Sequence, residues 1–236
     1  MHDIMFTNFL TPAHPGSGTA LGHIDRCIQR EALNSYPMLQ WRSIKGPLRA
    51  MLKFDEKKTG VSSDLAANFV FGKETEGASQ LLIGDGNLLF YPAPVLKGLY
   101  LFFTSPAVLK RYSALSGDQI DEVDEIDTYL KNHEDCLCTK KTKKNYAVNN
   151  RFFTGGNFVL EPEIWNRQAG IEETLPGFSI LKNFNKNLEE EIKERLVIVH
   201  DEMLKMLTLK TTEVRPNIKI ENGLTVDGSL RYTEYL

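Results

Sequence analysis

The sequence has no long apolar run, few cysteines and no excess of positive charge. No stretch approaches the roughly 20 apolar residues that a membrane-spanning helix needs, and Met1-His2-Asp3 lacks the basic start of a signal peptide. The cysteines number three, and an odd number argues against a disulfide framework and for a reducing compartment. We therefore expect a cytoplasmic protein with no membrane partner.

The charge balance excludes a protein that coats nucleic acid over its whole surface. Lysine and arginine total 28 against 31 aspartates and glutamates, which gives a net charge of −3. The charges are unevenly placed, because residues 118–127 are acidic and residues 140–144 are basic. A basic face can bind phosphates while an acidic face keeps the total near zero. Local nucleic-acid binding is therefore compatible with the composition.

The apolar pattern predicts an α+β fold in one domain spanning residues 1–236. Ser43 is a suitable N-cap for a helix whose buried stripe is Ile44, Leu48, Met51 and Leu52. Ser105-Pro106 predicts a second helix start. Residues 116–150 carry charge runs with little apolar pattern, which predicts an insertion or mobile loop. The strands are predicted at residues 4–11, 24–31, 88–91, 99–104, 158–160 and 196–200, with hairpin turns at Asn222-Gly223 and Asp227-Gly228.

One segment, residues 14–49, combines several features that suit a phosphodiester backbone. The glycines of Gly16-Ser17-Gly18 let a backbone approach a bulky anion closely. A helix start carrying Lys45 is a potential phosphate site, and the lone acid Asp25 could hold a metal or take a proton. The alternatives are a turn aspartate at Asp25 and a solvated basic helix face at Lys45 and Arg49. The combination indicates a protein that grips a phosphodiester and cuts it.

Three ordered motifs carry a family resemblance. The first is H-P-G-S-G-T-A-L-G-H-I-D-R-C-I-Q-R-E at 14–31 followed by S-I-K-G-P-L-R at 43–49. The second is G-D-G-N-L-L-F-Y-P at 84–92, and the third is Y-T-E-Y-L at 232–236. In this order they resemble the RAMP superfamily of CRISPR proteins, and within it the repeating backbone nuclease subunits of type III-B effectors.

The resemblance implies a ferredoxin-like core of the RNA-recognition-motif type, with a β-hairpin thumb that we place within residues 55–85. It implies an endoribonuclease that binds guide RNA (crRNA) and cuts target RNA, assembled with copies of itself and other subunits of the Cmr complex. Asp25 would bind a divalent metal, Mg²⁺ or Mn²⁺, and the chain would be short at its C-terminus. The implied catalytic residues are Asp25, His14, Glu234 and Tyr235. The implied RNA-binding residues are Gly16, Ser17, Gly18, Arg26, Arg42, Ser43, Lys45, Gly46 and Arg49.

Two departures from the resembled pattern leave an alternative open. Trp41 and Arg42 stand where the pattern has glycine and serine, and Thr233 stands where it has an acid. A non-catalytic RNA-binding backbone subunit would accommodate both departures. For Trp41 itself, packing in the interior is the expected role, with base stacking as the alternative. A nucleotide-binding α/β enzyme is the second alternative, but the turn from Gly16 to Gly22 has neither G-K-[ST] nor G-x-G-x-x-G.

Overall fold

The computed structural model describes residues 3–19, 22–52, 60–73, 77–95, 99–117, 123–132, 137–138, 157–160, 163–166 and 184–236. The strands are β1 (Gly16–Thr19), β2 (Arg26–Ile28), β3 (Met38–Leu39), β4 (Gly86–Asn87), β5 (Tyr91–Val95), β6 (Leu99–Thr104), β7 (Leu137–Cys138), β8 (Asn157–Leu160), β9 (Glu163–Asn166), β10 (Leu196–Ile198), β11 (Glu213–Asn217), β12 (Ile220–Glu221), β13 (Leu224–Thr225) and β14 (Arg231–Tyr235). The helices are α1 (Trp41–Met51), α2 (Ser63–Phe71), α3 (Pro106–Ser116), α4 (Val123–Asn132), α5 (Lys186–Arg195) and α6 (Asp201–Lys210).

The chain divides into two compact units. The first unit comprises Phe9–Leu33, Pro37–Asn87 and Glu213–Leu236, and the second comprises Met1–Asn8, Asn34–Tyr36 and Leu88–Thr212. Both units mix helices with strands, so the predicted α+β class is confirmed. The single domain over 1–236 stays a prediction.

The first unit is built on a four-stranded sheet in the order β1-β2-β14-β11. Strand β2 pairs antiparallel with β1 and parallel with β14, where Thr233 lies opposite Arg26. Strand β14 pairs antiparallel with β11 along its whole length, from Glu213 opposite Tyr235 to Asn217 opposite Arg231. The sheet therefore joins the glycine turn, the segment after Asp25 and the end of the chain.

The second unit is built on a sheet in the order β5-β6-β10-β7. Strand β5 alternates buried and exposed residues, and its two prolines, Pro92 and Pro94, occupy the exposed positions. Proline is tolerated there because β5 is the first strand of this sheet order and its outer edge needs no ladder donors. Strand β10 lies between two neighbours and is buried throughout. The core cluster of this unit consists of Leu109, Tyr112, Val123, Ile126, Leu130, Ile192, Leu196 and Ile198.

Several sequence predictions are confirmed. Ser105 precedes α3 as its N-cap residue with Pro106 at the first helical position, although the Ser105 side chain makes no capping hydrogen bond. Strands β6, β8 and β10 fall at their predicted places. The turn between β12 and β13 is formed by Asn222 and Gly223, whose φ angles of 51° and 80° are those that a tight hairpin turn requires.

The prediction of a strand at residues 4–11 is wrong. Residues 4–11 form no strand, and Ile4 and Phe6 pack instead against the core cluster of the second unit. The insertion or mobile loop over residues 116–150 stays a prediction, and its described part includes helix α4, whose Val123, Ile126 and Leu130 are buried. Their spacing of three and four is a helical stripe that the surrounding acidic residues obscure. The basic run 140–144 lies outside the described residues.

Helix α1 begins earlier than predicted and is less buried. Gln40 is its N-cap residue, and Ser43 lies in its first turn with its N–H donating to the Gln40 carbonyl at 2.8 Å. Pro47 is therefore inside the helix rather than in its first turn. None of its residues is buried, and Met51 is 75% exposed. In the range 55–85, the described residues form α2 and an isolated bridge between Lys73 and Gly77, so the β-hairpin thumb stays a prediction.

Candidate functional site

Asp25 is fixed to the start of β14 by two hydrogen bonds. Its backbone N–H donates to the Tyr232 carbonyl at 3.1 Å, and its Oδ2 accepts from the Tyr232 N–H at 2.8 Å. Within the described part of the chain, Oδ1 accepts no hydrogen bond. The residue thus behaves as a turn aspartate through one oxygen and keeps the other available. The two interpretations that the sequence left open for Asp25 are compatible with each other.

His14 is fixed to the same strand two residues further along. Its Nδ1 lies 2.7 Å from the Glu234 carbonyl oxygen. Because a carbonyl only accepts, Nδ1 is the donor of this hydrogen bond, and Nε2 is the ring nitrogen left for another contact. Residues two apart on a strand are separated by about 7 Å. The anchor points of Asp25 and His14 on β14 are therefore close together.

The His14 ring also explains why position 16 carries glycine. A Cβ at Gly16 would lie 2.9 Å from His14 Nε2, closer than real contacts allow. Gly18 has a different requirement, since its φ of +109° is a conformation that other residues rarely adopt. The Ser17 hydroxyl between them donates to the Cys27 carbonyl at 3.0 Å. The segment predicted as a turn is strand β1 in the structure, and Gly16, Ser17 and Gly18 are all exposed along it.

Glu234 is a buried carboxylate with partners on both oxygens. Its Oε2 accepts from the Ile28 N–H at 3.0 Å, and its Oε1 pairs with the Arg30 guanidinium at 2.5 Å. The Glu234 side chain is only 5% exposed and that of Arg30 is 18% exposed. A buried charge of this kind is tolerated because it is paired and hydrogen-bonded. Glu234 therefore ties β14 to the end of β2.

The two neighbours of Glu234 differ in their environment. Tyr235 is half-buried, with its ring 5.7 Å from the His14 ring and the Arg215 guanidinium 5.4 Å from its centroid. Thr233 is buried, and its hydroxyl has no hydrogen-bond partner among the described residues. An acid at position 233, as in the resembled pattern, would be a buried charge in this sheet.

Gln29 is a structural residue of the site that the sequence did not reveal. Its buried side-chain amide donates to the Gly16 carbonyl at 2.9 Å and to the Ser43 hydroxyl at 3.0 Å. Its Oε1 accepts from the Gln40 N–H at 2.8 Å. One side chain thereby joins the glycine turn to the start of α1. No local pattern marks this role, because its partners lie 11 to 14 residues away.

The start of α1 is occupied by an acid of the same chain. Asp85 Oδ1 accepts from the Trp41 N–H at 2.8 Å, while the Gln40 side chain makes no capping bond. A carboxylate here satisfies a donor that would otherwise be open at the helix N-terminus. Asp85 thus fills part of the place that the sequence suggested for a phosphate.

The basic residues of α1 fall into two groups. The Arg49 guanidinium donates to the Gly72 carbonyl at 2.6 Å and to Asn68 Oδ1 at 2.5 Å, so it joins α1 to the end of α2. Arg42 and Lys45 instead lie over the Trp41 ring, at 5.2 Å and 5.8 Å from its centroid. Of the other predicted RNA contacts, Arg26 and Gly46 are both exposed.

The residues around Asp25 would suit a divalent cation whose other ligands are phosphates and waters. The described residues include no group of three or more His, Cys, Asp or Glu side chains placed to hold a metal ion. Asp25 offers one available oxygen, which suits a cation held mainly by phosphates and waters, as Mg²⁺ often is.

None of the helices in the described part of the chain has the length and apolar character needed to cross a membrane.

These motifs and this sheet place the chain in a known family. The RAMP superfamily pattern matches residues 8–236, and the chain belongs to the RAMP superfamily. It is 32% identical over 239 residues to the CRISPR system Cmr endoribonuclease Cmr4 of Pyrococcus furiosus, with 96% of this chain and 75% of the relative covered.

Two solved structures share this fold. The crystal structure of oligomeric Cmr4 from Pyrococcus furiosus matches with a TM-score of 0.60 and 26% identity, over 96% of this chain and 73% of that one. A cryo-EM structure of the Type III-B Cmr-beta bound to cognate target RNA contains a chain with a TM-score of 0.64 and 19% identity, over 96% and 76%. The resemblance inferred from the three motifs is confirmed at the level of the family.

Proposed function

We propose that this chain is a repeating backbone subunit of a type III-B CRISPR ribonucleoprotein, which binds guide RNA and cleaves complementary target RNA in the cytoplasm. One observation carries the proposal: His14, Asp25 and Glu234, from opposite ends of the chain, are joined through β14. The relative named above is an endoribonuclease, and it is similar along nearly all of this chain.

Asp25 is the residue on which we expect cleavage to depend. RNA carries a nucleophile in the 2′-hydroxyl next to each phosphate, and its attack requires a group that accepts the hydroxyl proton. The Tyr232 N–H holds one carboxylate oxygen of Asp25 in place, which leaves the other to accept that proton. In the alternative use of that oxygen, Asp25 and the RNA phosphates would hold a divalent cation, which would supply charge stabilisation at the phosphate.

The other residues implied by the resemblance divide into different roles. His14 presents Nε2 beside the glycine turn, where it can exchange a proton with RNA. Glu234 acts as a positioning residue, because both its oxygens are engaged by Ile28 and Arg30. Tyr235 packs near His14 and orients its ring.

The surface that would carry the guide RNA combines exposed backbone with exposed cations. Gly16, Ser17 and Gly18 are exposed, as are Arg26 and Arg42. Arginine and lysine contacts to phosphates position a nucleic acid without reading its sequence. Base pairing with the guide would supply the specificity, as in other RNA-guided systems.

The second unit is proposed to be a ferredoxin-like sheet in permuted chain order. Supporting this, β10 runs parallel to β6 and antiparallel to β7, while β5 runs antiparallel to β6. Helix α3 follows β6, and α6 follows β10. Two parallel strands need a crossover connection, which is usually a helix. In the βαββαβ arrangement each βαβ half contributes one such helix.

The test is reconstitution with guide RNA and partner subunits, followed by incubation with labelled RNA. We expect cleavage of complementary RNA and none of a scrambled RNA of the same length. Binding of complementary RNA without cleavage would support the non-catalytic backbone alternative. Absence of binding to guide and target alike would contradict the proposal as a whole.

A further inference from the structure

Trp41 lies exposed at the start of α1 with two cations over its ring. The residue is 41% exposed, against the expectation that a tryptophan at this position is packed inside. The Arg42 guanidinium is 5.2 Å and the Lys45 ammonium 5.8 Å from the ring centroid. Both distances are within the range of a cation–π interaction. A large aromatic surface beside two positive charges is thus exposed to water. Burying that apolar surface against a ligand would be favourable.

Two of the first three backbone N–H groups of α1, those of Trp41 and Ser43, are already bonded, so a ligand here would meet mainly side chains. Asp85 accepts the Trp41 N–H, and the Ser43 N–H bonds to the Gln40 carbonyl. The cluster formed by Trp41, Arg42 and Lys45 is therefore a site made mainly of side chains. Its first two members are where this sequence departs from the glycine and serine of the resembled pattern.

We propose that Trp41 stacks on an unpaired RNA base while Arg42 and Lys45 bind the flanking phosphates. An aromatic face flanked by cations is the arrangement by which proteins bind single-stranded nucleic acid, because every base has a π-face and every linkage a negative charge. In the free protein both cations lie over the ring, so they are within reach of the phosphates that flank a base when that base takes their place on the ring. The inference rests on the proposed function and adds a base contact to it.

Tryptophan fluorescence can test the stacking directly, because the chain has only two tryptophans. Replacing the other one, Trp165→Phe, leaves Trp41 as the sole reporter. We expect addition of guide RNA to quench this fluorescence strongly. Guides that carry an abasic nucleotide at one position at a time should restore the fluorescence when the missing base is the stacked one.

Affinity measurements with two variants separate stacking from general packing. We expect Trp41→Phe to bind guide RNA within about threefold of the parent, because the ring is kept. Trp41→Leu keeps apolar bulk without a π-face and should lose about tenfold in affinity. Melting temperatures of both variants show whether the domain is folded. If Trp165→Phe does not fold, acrylamide quenching of the parent and of Trp41→Phe, with and without RNA, gives the same contrast.

The outcomes distinguish this inference from the function on which it rests. RNA binding with unchanged Trp41 fluorescence, and equal affinity for the parent and Trp41→Leu, would overturn the stacking while leaving the proposed function intact. Quenching that persists equally with every abasic guide would also overturn it, because the base would not be the quencher. No binding of guide RNA by the parent complex would overturn the proposed function itself.

Discussion

Asp25 uses one carboxylate oxygen to accept the Tyr232 N–H, and its other oxygen accepts no hydrogen bond within the described part of the chain. The sequence alone could identify Asp25, because the motif from His14 to Glu31 surrounds it with recognisable residues. It could not identify the roles of Gln29 and Asp85, because only the folded chain brings their partners near: the backbone groups and, for Gln29, the Ser43 hydroxyl. Motifs therefore located the candidate chemistry, while the buried polar links that support it required the tertiary structure.

At Glu234, we predict that Glu234→Gln lowers stability by about 2 kcal/mol, because a charged hydrogen bond to Arg30 is lost in a buried setting. The amide can still accept from the Ile28 N–H, so the sheet should keep its order. Urea unfolding of the two proteins at neutral pH measures the difference.

Glu213→Gln is the matched control for that measurement. Glu213 also pairs with an arginine, Arg215, but both side chains are about half exposed. Water screens such a pair, and we expect no measurable change in the unfolding midpoint. Equal effects of the two substitutions would show that burial of the Glu234 pair is energetically unimportant.

Within helix α1, we predict that Lys45→Ala and Arg49→Ala have different consequences. Lys45→Ala should weaken guide-RNA binding and reduce the slope of log affinity against log salt by about one, because one phosphate contact is lost. Arg49→Ala should instead lower stability by about 1–2 kcal/mol, since the acceptors on Gly72 and Asn68 lose their donor. Salt titrations of RNA binding and urea unfolding measure the two effects.

Lys186→Ala, an exposed lysine at the start of α5, serves as the control for both assays. A salt slope reduced by Arg49→Ala but not by Lys45→Ala would show that Arg49, and not Lys45, contacts an RNA phosphate. A change of the same size in Lys186→Ala would show that the assay reports only the overall charge.

In the pair α3–α4, we predict that stability depends on pH through Asp127. Its carboxylate accepts from Lys110 and Lys131, and these hydrogen bonds hold the pKa of Asp127 below its ordinary value of 3.8. A depressed pKa contributes stability that is present above about pH 4 and is lost as the pH falls through the lowered pKa. Asp127→Asn should therefore cost about 0.5 kcal/mol at pH 6 and nothing near pH 2.

Urea unfolding across that pH range measures the difference between the parent and Asp127→Asn. Asp124→Asn is the control, because Asp124 contacts the same Lys110 with a side chain that is 87% exposed. A constant difference at all pH values would show that the Asp127 charge does not contribute.

At the scale of elements, the sequence was most informative where a local signal is strong. The Ser105-Pro106 start and the Asn222-Gly223 turn are each determined by the backbone preferences of two residues. Ile4 and Phe6 are apolar because they pack on a core, whereas Leu10 is exposed, and among the described residues no strand pairs with 4–11. Helix α1 begins at Trp41 because Asp85, more than 40 residues away, accepts its first N–H. Such long-range partners are absent from a local pattern.

For the whole molecule, we predict that the isolated protein associates with copies of itself. Strand β11 is the last in its sheet order, and apolar residues are exposed along the adjoining segment: Val214, Ile218, Ile220, Leu224 and Leu230. An open strand edge with apolar side chains favours pairing with another chain. Head-to-tail stacking is open-ended, so bound RNA would set the length of the assembly.

Light scattering coupled to size-exclusion chromatography, with and without guide RNA, measures this association. We expect heterogeneous oligomers without RNA and a defined assembly with it. Leu224→Lys should shift the RNA-free protein toward the monomer, whereas Leu33→Lys, at a position 94% exposed outside this segment, should not. A monomer under both conditions would contradict the backbone role.

The most direct test of the central claim is target cleavage by the assembled complex carrying Asp25→Asn. Asparagine keeps an oxygen for the Tyr232 N–H but removes the charge. We predict that cleavage of complementary RNA falls by about 100-fold or more, while guide and target binding stay unchanged. Asp227→Asn, at an exposed turn position, should cleave at the parent rate. Cleavage by Asp25→Asn at the parent rate would contradict the account and assign the chemistry to another residue.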